Sequence, residues 1–465
     1  MKSRRLIAAT ISCLTLLTSV SPQQPSAKSQ SVEVLLKYVL QLSAAAKEQV
    51  WPGFDAAKYV FLLPDSQAGI DFLGISPDPQ SPNRRILMAF DARQYGLEDG
   101  LVLSFHEAFH AFERDKSRPG ARWRTENSLL VAEYPEESAR NSALFVIESR
   151  ILLLALQSSD TSDARKRALE FLAVRKLRQK ELEGRFVEFE KGLESNEGLA
   201  EYAGTKALLT ATELVKQNRA SLPLSNLNAR DYLTGKYQKL NSIVSSGKNS
   251  RLRYYYTGSA QGFLLDRFMS DWKSRVQITG AATQDLIEEA VGLSRKPWQS
   301  IATTALQRHG YEKILKEEEE AAVKKTAEKQ ALFDSLVSKK GLRLVMDVSA
   351  IGSFGQVRGF DPMNVTVIGK EKRIHTRMLK AGEENHYSAE FNQPVIEDLQ
   401  TRQYLTTIDS DQKVTVTVDG VLVDITPAEK RFATLVLTTP KVTIEARKGI
   451  VTISPDRIVI TLVKE

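Results

Sequence analysis

The most informative stretch of the sequence is LVLSFHEAFHAFERD, Leu101–Asp115. It contains His106, Glu107 and His110 in the pattern HExxH. Residues four apart lie on one face of a helix, so both imidazoles can reach one metal ion, and Glu107 can act on a water beside that ion. The apolar residues around the motif predict a rigidly packed helix over about 98–115; they are Leu101, Val102, Phe105, Phe109 and Phe112.

A zinc hydrolase site needs a third protein ligand and an open fourth position. In metzincins the third ligand is a histidine six residues after the second, but Lys116 occupies that position and Glu113 stands where their glycine would be. That class is therefore excluded. The best candidate segment is SNEGLAEYAG, residues 195–204, in which Glu197 and Glu201 share one helical face. One carboxylate can bind the metal, and the other can accept the free N–H of a ligand histidine.

Three other glutamates compete for the position of third ligand. Glu133, Glu136 and Glu137, in VAEYPEES, lie nearer to His110 along the chain. Pro135 and the clustered charge favour a loop followed by a helix start, where acidic side chains are stabilised by the helix dipole in any case. The sequence leaves this alternative open beside Glu197.

The motifs HEAFH and NEGLAEY together resemble those of the gluzincin metallopeptidases, which carry HExxH and a glutamate ligand on a downstream helix. The resemblance covers these two motifs and their helices only. It implies one bound Zn²⁺ ion, with His106, His110 and Glu197 as its ligands. It further implies that Glu107 is the general base and that Glu201 lies behind a ligand histidine.

One departure from the family is the spacing between the motifs. His110 and Glu197 are separated by 86 residues, many more than in thermolysin. An inserted helical hairpin over Glu136–Lys191 accounts for the extra length. This departure bears on the subfamily more than on the metal site.

Gluzincins also use a side chain, often Tyr or His, to stabilise the oxyanion of the tetrahedral intermediate. The stretch RYYYTGSAQGFLLDRF, Arg253–Phe268, offers three consecutive tyrosines, of which Tyr256 is the candidate. The alternative is an aromatic cluster in the core. Gly258 and Gly262 in the same stretch would allow close approach of another helix.

Glu148 lies among apolar residues of a helical segment. A buried carboxylate needs a partner. We expect an ion pair with an arginine such as Arg150 or Arg140, and a role in the site is the alternative.

After the N-terminal segment, the sequence divides into two regions, one with a helical pattern and one with a β-strand pattern. The predicted fold class is therefore α+β. Residues 31–335 predict a mainly helical, zincin-like domain with short strands at Tyr59–Leu63 and Ile86–Phe90, the second of which could pair with an extended substrate. Residues 341–465 alternate in β-branched residues, and Asp419-Gly420 predicts a hairpin within an antiparallel sandwich or barrel. Helical patterns cover about 32–50, 98–115, 136–158, 162–192, 195–215, 254–275 and 300–335.

The N-terminal residues 1–27 have the layout of a secretory signal peptide, in which three basic residues precede the apolar run Leu6–Val20. A retained membrane anchor is the alternative, but the run is short for a span. Cys13 is the single cysteine, so an intramolecular disulfide is impossible. We expect an exported protein, periplasmic, secreted or held in the cell envelope.

The charge balance argues against a nucleic-acid partner. The chain has 465 residues with 64 Lys and Arg against 57 Asp and Glu, and a formal charge of +7. Part of this excess lies in the signal peptide, and no basic stripe interleaved with aromatic residues occurs. The sequence thus predicts an exported zinc metallopeptidase acting on a peptide or protein, without a stable membrane span after cleavage. The alternatives are a catalytically silent envelope scaffold on a peptidase-like fold and a metal hydrolase of non-peptide amides.

Overall fold

The computed structural model describes residues 32–62, 73–76, 85–88, 97–115, 120–222, 227–242, 251–351 and 355–464. The predicted signal peptide, 1–27, lies outside these ranges. No helix in the described part is both long enough and apolar enough to cross a membrane.

The chain forms two compact units, a helical one followed by a β-rich one, consistent with the α+β class. The helical unit contains the described residues up to Leu130 together with Pro135–Ala322. The β-rich unit contains Val131–Tyr134 and the described residues from Val323 onward. The domain boundaries drawn from the sequence, at 335 and 341, stay a prediction.

Twelve α-helices occur in the described residues. They are α1 Val32–Val50, α2 Leu97–Glu113, α3 Ala139–Gln157, α4 Thr161–Gln179, α5 Gly184–Leu193, α6 Leu199–Lys216, α7 Ala229–Ser242, α8 Arg251–Phe268, α9 Trp272–Thr279, α10 Thr283–Val291, α11 Trp298–Arg308 and α12 Tyr311–Val337. A π-helical turn, Glu194–Gly198, joins α5 to α6.

Three predicted helices are each divided in two, and α7 and α10 were not predicted. The predicted helix 162–192 is wrong as a single element, because α4 ends at Gln179 and α5 begins at Gly184 after a turn. The predicted helix 254–275 is likewise divided into α8 and α9. The predicted helix 300–335 is divided between α11 and α12 at Gly310, whose φ of +69° is a left-handed conformation that ends helices.

A small three-stranded sheet lies near the N-terminal end of the helical unit. Its strands are β1 Val60–Leu62, β2 Leu73–Ser76 and β3 Arg85–Met88, in the order β1-β3-β2. Strand β3 is parallel to β1 and antiparallel to β2. The expectation that the strand at Ile86–Phe90 could pair with a substrate is therefore wrong for its described part, because both edges of β3 are already occupied.

Helix α2 lies in the interior of the helical unit. Every residue from Leu101 to Phe112 is buried. The rings of Phe105, Phe109 and Phe112 surround that of Phe54, with centroid distances of 5.2–6.2 Å. Because α2 is buried on all sides, its polar residues lie in the core together with its apolar ones. The HExxH motif is therefore buried as well.

A buried ionic network joins α3 and α4 to the segment that follows them. Glu148 on α3 accepts hydrogen bonds from Arg175 (3.1 Å) and Arg178 (3.0 Å) on α4. Arg178 also donates to Glu190, and Arg175 to Glu194, at 2.6 and 2.8 Å. The predicted ion pair of Glu148 is confirmed, but the expected partners were wrong: α4 packs against α3 and brings its own arginines to the carboxylate.

The β-rich unit is built on one 13-stranded sheet that curls into a half-barrel. Its strands are β4 Leu342–Asp347, β5 Gln356–Phe360, β6 Val365–Ile368, β7 Lys372–His375, β8 Leu379–Glu383, β9 Tyr387–Phe391, β10 Val395–Asp398, β11 Gln403–Ile408, β12 Thr415–Val418, β13 Val421–Val423, β14 Ala428–Thr438, β15 Val442–Ser454 and β16 Arg457–Leu462.

The pairing in this sheet differs from the prediction in one respect. The predicted hairpin is confirmed, since Asp419 and Gly420 both have positive φ between β12 and β13. The sheet is not wholly antiparallel, because β16 pairs with β4 in parallel. One long strand, β15, pairs with β9 at Val442–Ala446 and with β16 at Gly449–Ser454, and so carries the sheet around its bend.

Candidate metal centre

The two histidines of the HExxH motif lie side by side in the core. His106 and His110, one turn apart on α2, are 4% and 1% exposed. Their Nε2 atoms are 3.2 Å apart, and the rings meet edge to face. Two ring nitrogens this close, each with a free lone pair, repel each other unless a proton or a cation lies between them. The pair could therefore share either a proton or a metal ion.

Glu197, in the π-helical turn before α6, brings a carboxylate to the same point. Its Oε2 lies 3.3 Å from Nε2 of His110 and 3.5 Å from Nε2 of His106, and its side chain is fully buried. Among the described residues, His106, His110 and Glu197 form one group of possible metal ligands, and their ligand atoms all lie within 4.8 Å of one another. The structure thus brings together the three residues named from the sequence, in a group that could hold a metal ion.

The competing glutamates do not join this group. Glu133 belongs to the β-rich unit, where its carboxylate lies 3.6 Å from the guanidinium of Arg373. Glu136 and Glu137 follow it on the chain and precede α3. The group found around His106 and His110 draws its carboxylate from Glu197 instead.

Two glycine contacts set the position of Glu197. A Cβ on Gly198 would lie 2.6 Å from Cα of Gly258 on α8, so the π-helical turn and α8 touch backbone to backbone. A Cβ on Gly204 would collide with the carbonyl oxygen of Val102 on α2. The predicted close approach at Gly258 is confirmed. Gly198 thus makes the close contact with α8, and Gly204 makes the close contact with the HExxH helix.

Each histidine has a carboxylate behind it. Nδ1 of His106 lies 3.1 Å from Oε2 of Glu201, and Nδ1 of His110 lies 3.3 Å from Oε2 of Glu113. When Nδ1–H donates to a carboxylate, the Nε2 lone pair is left for a metal. Glu201 is itself held by Lys236 on α7, at 2.6 Å. The sequence named Glu201 but missed Glu113, although its spacing of three from His110 places it on the same helical face.

A buried arginine holds the other oxygen of Glu197. Nη2 of Arg251, the first residue of α8, lies 2.7 Å from Oε1 of Glu197 and 2.6 Å from Oε1 of Glu126. Sequence reasoning missed both Arg251 and Glu126. No local pattern connects them to the motifs, because Arg251 and Glu197 are 54 residues apart and meet only when α8 packs against the π-helical turn.

Acidic side chains dominate the surroundings of the two histidines. Burial opposes the charge on Glu197, but the Arg251 guanidinium and His110 hold the pKa of that carboxyl well below its ordinary value. Burial lowers the pKa of His106, whereas hydrogen bonds to Glu197 and Glu201 and the nearby charge of Glu107 raise it, to about 10 overall. Without a metal ion, the acidic surroundings therefore favour a proton on His106. A divalent cation would balance the same charge.

Two of the three consecutive tyrosines lie close to these groups. The ring of Tyr255 is stacked on that of His106, with centroids 5.8 Å apart and planes 9° from parallel. Burial and the charge of Glu197 raise the pKa of Tyr255 well above its ordinary value. Tyr256, the residue named from the sequence, has its ring 5.7 Å from Nζ of Lys239, and burial and Glu201 raise its pKa. The role of Tyr256 stays a prediction, and Tyr255 is the tyrosine in ring contact with a histidine of the cluster.

Comparisons with protein-family models, with curated proteins and with solved structures find no match to this chain. The inference of function therefore depends on the cluster itself: two imidazole nitrogens and one carboxylate oxygen, buried and converging, that could hold a metal ion.

Proposed function

We propose that the protein is a zinc-dependent metallopeptidase of the gluzincin type. The observation that supports this most directly is the convergence of His106, His110 and Glu197 in a buried group that includes both histidines of an HExxH motif. The glutamate of that motif, Glu107, is buried next to them.

The donor atoms fit Zn²⁺ in spacing and in kind. Zinc binds His nitrogen and carboxylate oxygen at about 2.0–2.2 Å, so donors at the corners of a tetrahedron lie roughly 3.4 Å apart. The three donor pairs formed by His106, His110 and Glu197 are separated by 3.2, 3.3 and 3.5 Å. Three protein donors leave one tetrahedral position open, which is typical of catalytic zinc sites.

The residues of the chain divide the proposed reaction among them. A bound zinc ion would polarise the substrate carbonyl and lower the pKa of a water toward neutrality. Glu107 accepts the proton of the attacking water on its carboxylate and delivers it to the nitrogen of the leaving amine. Glu201 fixes the ring orientation of His106, and Glu113 fixes that of His110, because each carboxylate accepts a hydrogen bond from the Nδ1–H group of its histidine.

A tyrosine hydroxyl would stabilise the oxyanion that forms on the substrate carbonyl. Tyr256 is the candidate by sequence, and the stacking of Tyr255 on His106 makes it a second candidate. Burial raises the pKa of both residues, so both hydroxyls keep their proton at neutral pH and can donate a hydrogen bond.

The substrate we propose is a peptide or protein, and we propose that the enzyme acts after export. The N-terminal pattern at 1–27 supports export. The small excess of basic residues gives no support to a nucleic-acid substrate.

The test compares the wild-type protein with Glu107→Gln in metal content and in hydrolysis of casein. Glutamine keeps the size of the side chain but cannot accept the proton, so activity should fall by at least about 10²–10⁴-fold while zinc stays bound. Glu98→Gln, at the partly exposed start of the same helix, is the matched control and should keep full activity. Wild-type protein without stoichiometric metal, or Glu107→Gln with undiminished hydrolysis, would remove the basis for the proposal.

A further inference from the structure

The two oxygens of the Glu197 carboxylate have different partners. Oε2 faces Nε2 of His106 and of His110, at 3.5 and 3.3 Å. Oε1 accepts a hydrogen bond of 2.7 Å from Nη2 of Arg251. One oxygen is therefore directed to the metal position, and the other is already engaged by a guanidinium.

Arg251 is itself firmly held. Its side chain is 3% exposed, and the same Nη2 donates to Glu126 at 2.6 Å. The guanidinium thus lies between two carboxylates whose side chains are almost inaccessible to solvent. Hydrogen bonds between an arginine and a carboxylate are stronger than neutral ones. Arginine stays protonated at all relevant pH values and offers no lone pair, so Arg251 cannot itself be a metal ligand.

We propose that Arg251 is a positioning residue that restricts Glu197 to one-oxygen metal binding and so makes the site prefer Zn²⁺ over ions that take more oxygen ligands. The inference rests on the proposed metal site. A carboxylate with both oxygens available can bind an ion through both of them, as it often does with Ca²⁺. With Oε1 engaged by Arg251, the site offers only three protein donors.

Metal preference follows from this count of donors. Zn²⁺ is satisfied by three protein ligands and one open position. Mn²⁺ and Mg²⁺ favour octahedral surroundings rich in oxygen, and a second oxygen from Glu197 would bring the site closer to their requirement. Loss of the guanidinium would therefore improve binding of Mn²⁺ relative to Zn²⁺.

The experiment measures Zn²⁺ and Mn²⁺ affinities of the purified full chain by competition titration, for the wild type and for Arg251→Met. Methionine removes the donors and the charge while filling part of the buried space. The ratio of Zn²⁺ to Mn²⁺ affinity should fall by about tenfold or more, the usual scale for loss of a residue that orients a ligand. Co²⁺ provides a spectroscopic readout, because its visible absorption is strong in tetrahedral sites and weakens as ligands are added. The Co²⁺ band should weaken in Arg251→Met.

Two further variants separate positioning from folding. Arg253→Met also removes a buried arginine from the first turn of α8, one whose guanidinium packs on Phe145 at 4.0 Å, and it should keep the wild-type affinity ratio and Co²⁺ band. Arg251→Lys keeps a charged donor for Oε1 and should restore much of the preference for Zn²⁺.

The outcomes distinguish this inference from the proposed function. A wild-type protein that binds no divalent ion would overturn both. If the wild type binds Zn²⁺ but Arg251→Met leaves the affinity ratio and the Co²⁺ band unchanged, only the role of Arg251 is overturned. Equal changes in Arg251→Met and Arg253→Met would also overturn it, since they would reflect a loosened helix rather than the contact with Glu197.

Discussion

Replacing Glu197 with alanine tests the proposed third ligand most directly. The change removes the carboxylate donor and leaves the nitrogens of His106 and His110. Loss of a residue that only orients a ligand typically costs 10–100-fold in metal affinity. Loss of a donor should exceed the upper end of that range, and 100-fold corresponds to about 2.8 kcal/mol of binding free energy.

The fold should survive this change. Removing one partner of a buried ion pair often costs about 3–5 kcal/mol, because a charge is left without a counter-charge. Arg251, however, keeps its hydrogen bond to Glu126 at 2.6 Å when Glu197 is lost. The metal-free variant should therefore unfold cooperatively, with a smaller loss of stability than an orphaned arginine would cause.

The assay is a zinc competition titration against a chromophoric chelator, with thermal unfolding of the metal-free proteins in parallel. Glu201→Ala should lose about 10–100-fold in affinity, because it removes only the partner of His106. Glu183→Ala, whose side chain is 67% exposed, is the control and should bind as the wild type does. If Glu197→Ala binds zinc as tightly as the control, and Glu133→Ala or Glu137→Ala does not, the third ligand has been misassigned.

Three further predictions concern catalysis, packing and domain structure. Tyr255→Phe should lower kcat by about 100-fold at unchanged zinc content, as loss of an oxyanion donor does; a loss confined to Tyr256→Phe would return that role to the residue named from the sequence. Gly204→Ala should lower the free energy of unfolding, measured by urea titration, by about 1–3 kcal/mol or more, because the added Cβ would meet the backbone of α2. Gly235→Ala is the control, and because its Cβ has open space around it, it should stabilise α7 by about 0.5–1 kcal/mol. A chain starting at residue 340 should unfold cooperatively and bind no zinc in equilibrium dialysis, and a product that is insoluble without the helical unit would contradict its independence.

Local spacing accounts for the part of the site that could be predicted. The interval of four between His106 and His110 is one helical turn, so a single helix is enough to bring the rings together. Glu113 follows the same rule, at an interval of three, and could have been identified from the sequence. Glu197 was identified from the resemblance of its segment to a family motif, because no spacing rule connects it with His110, 87 positions before it.

Contacts between helices account for what could not be predicted. Arg251 and Lys236 reach the site from α8 and α7, and their sequence neighbours give no sign of it. The helix end at Gln179 was missed because the helical pattern in the sequence continues across the turn between Gln179 and Gly184. The β-rich unit was recognised from alternation, but alternation does not specify which strands pair, and so the parallel pair of β4 and β16 was missed.

The ionic network between α3 and α4 constrains how this sequence can change over time. Glu148, Arg175, Arg178, Glu190 and Glu194 are all buried and share partners. Any single substitution that removes a charge leaves at least one other group short of a partner in the core, whereas replacing a whole set by apolar residues of similar volume need not. These positions should therefore vary together or not at all among descendants of this chain, and their joint variation would be a record of which helices pack together.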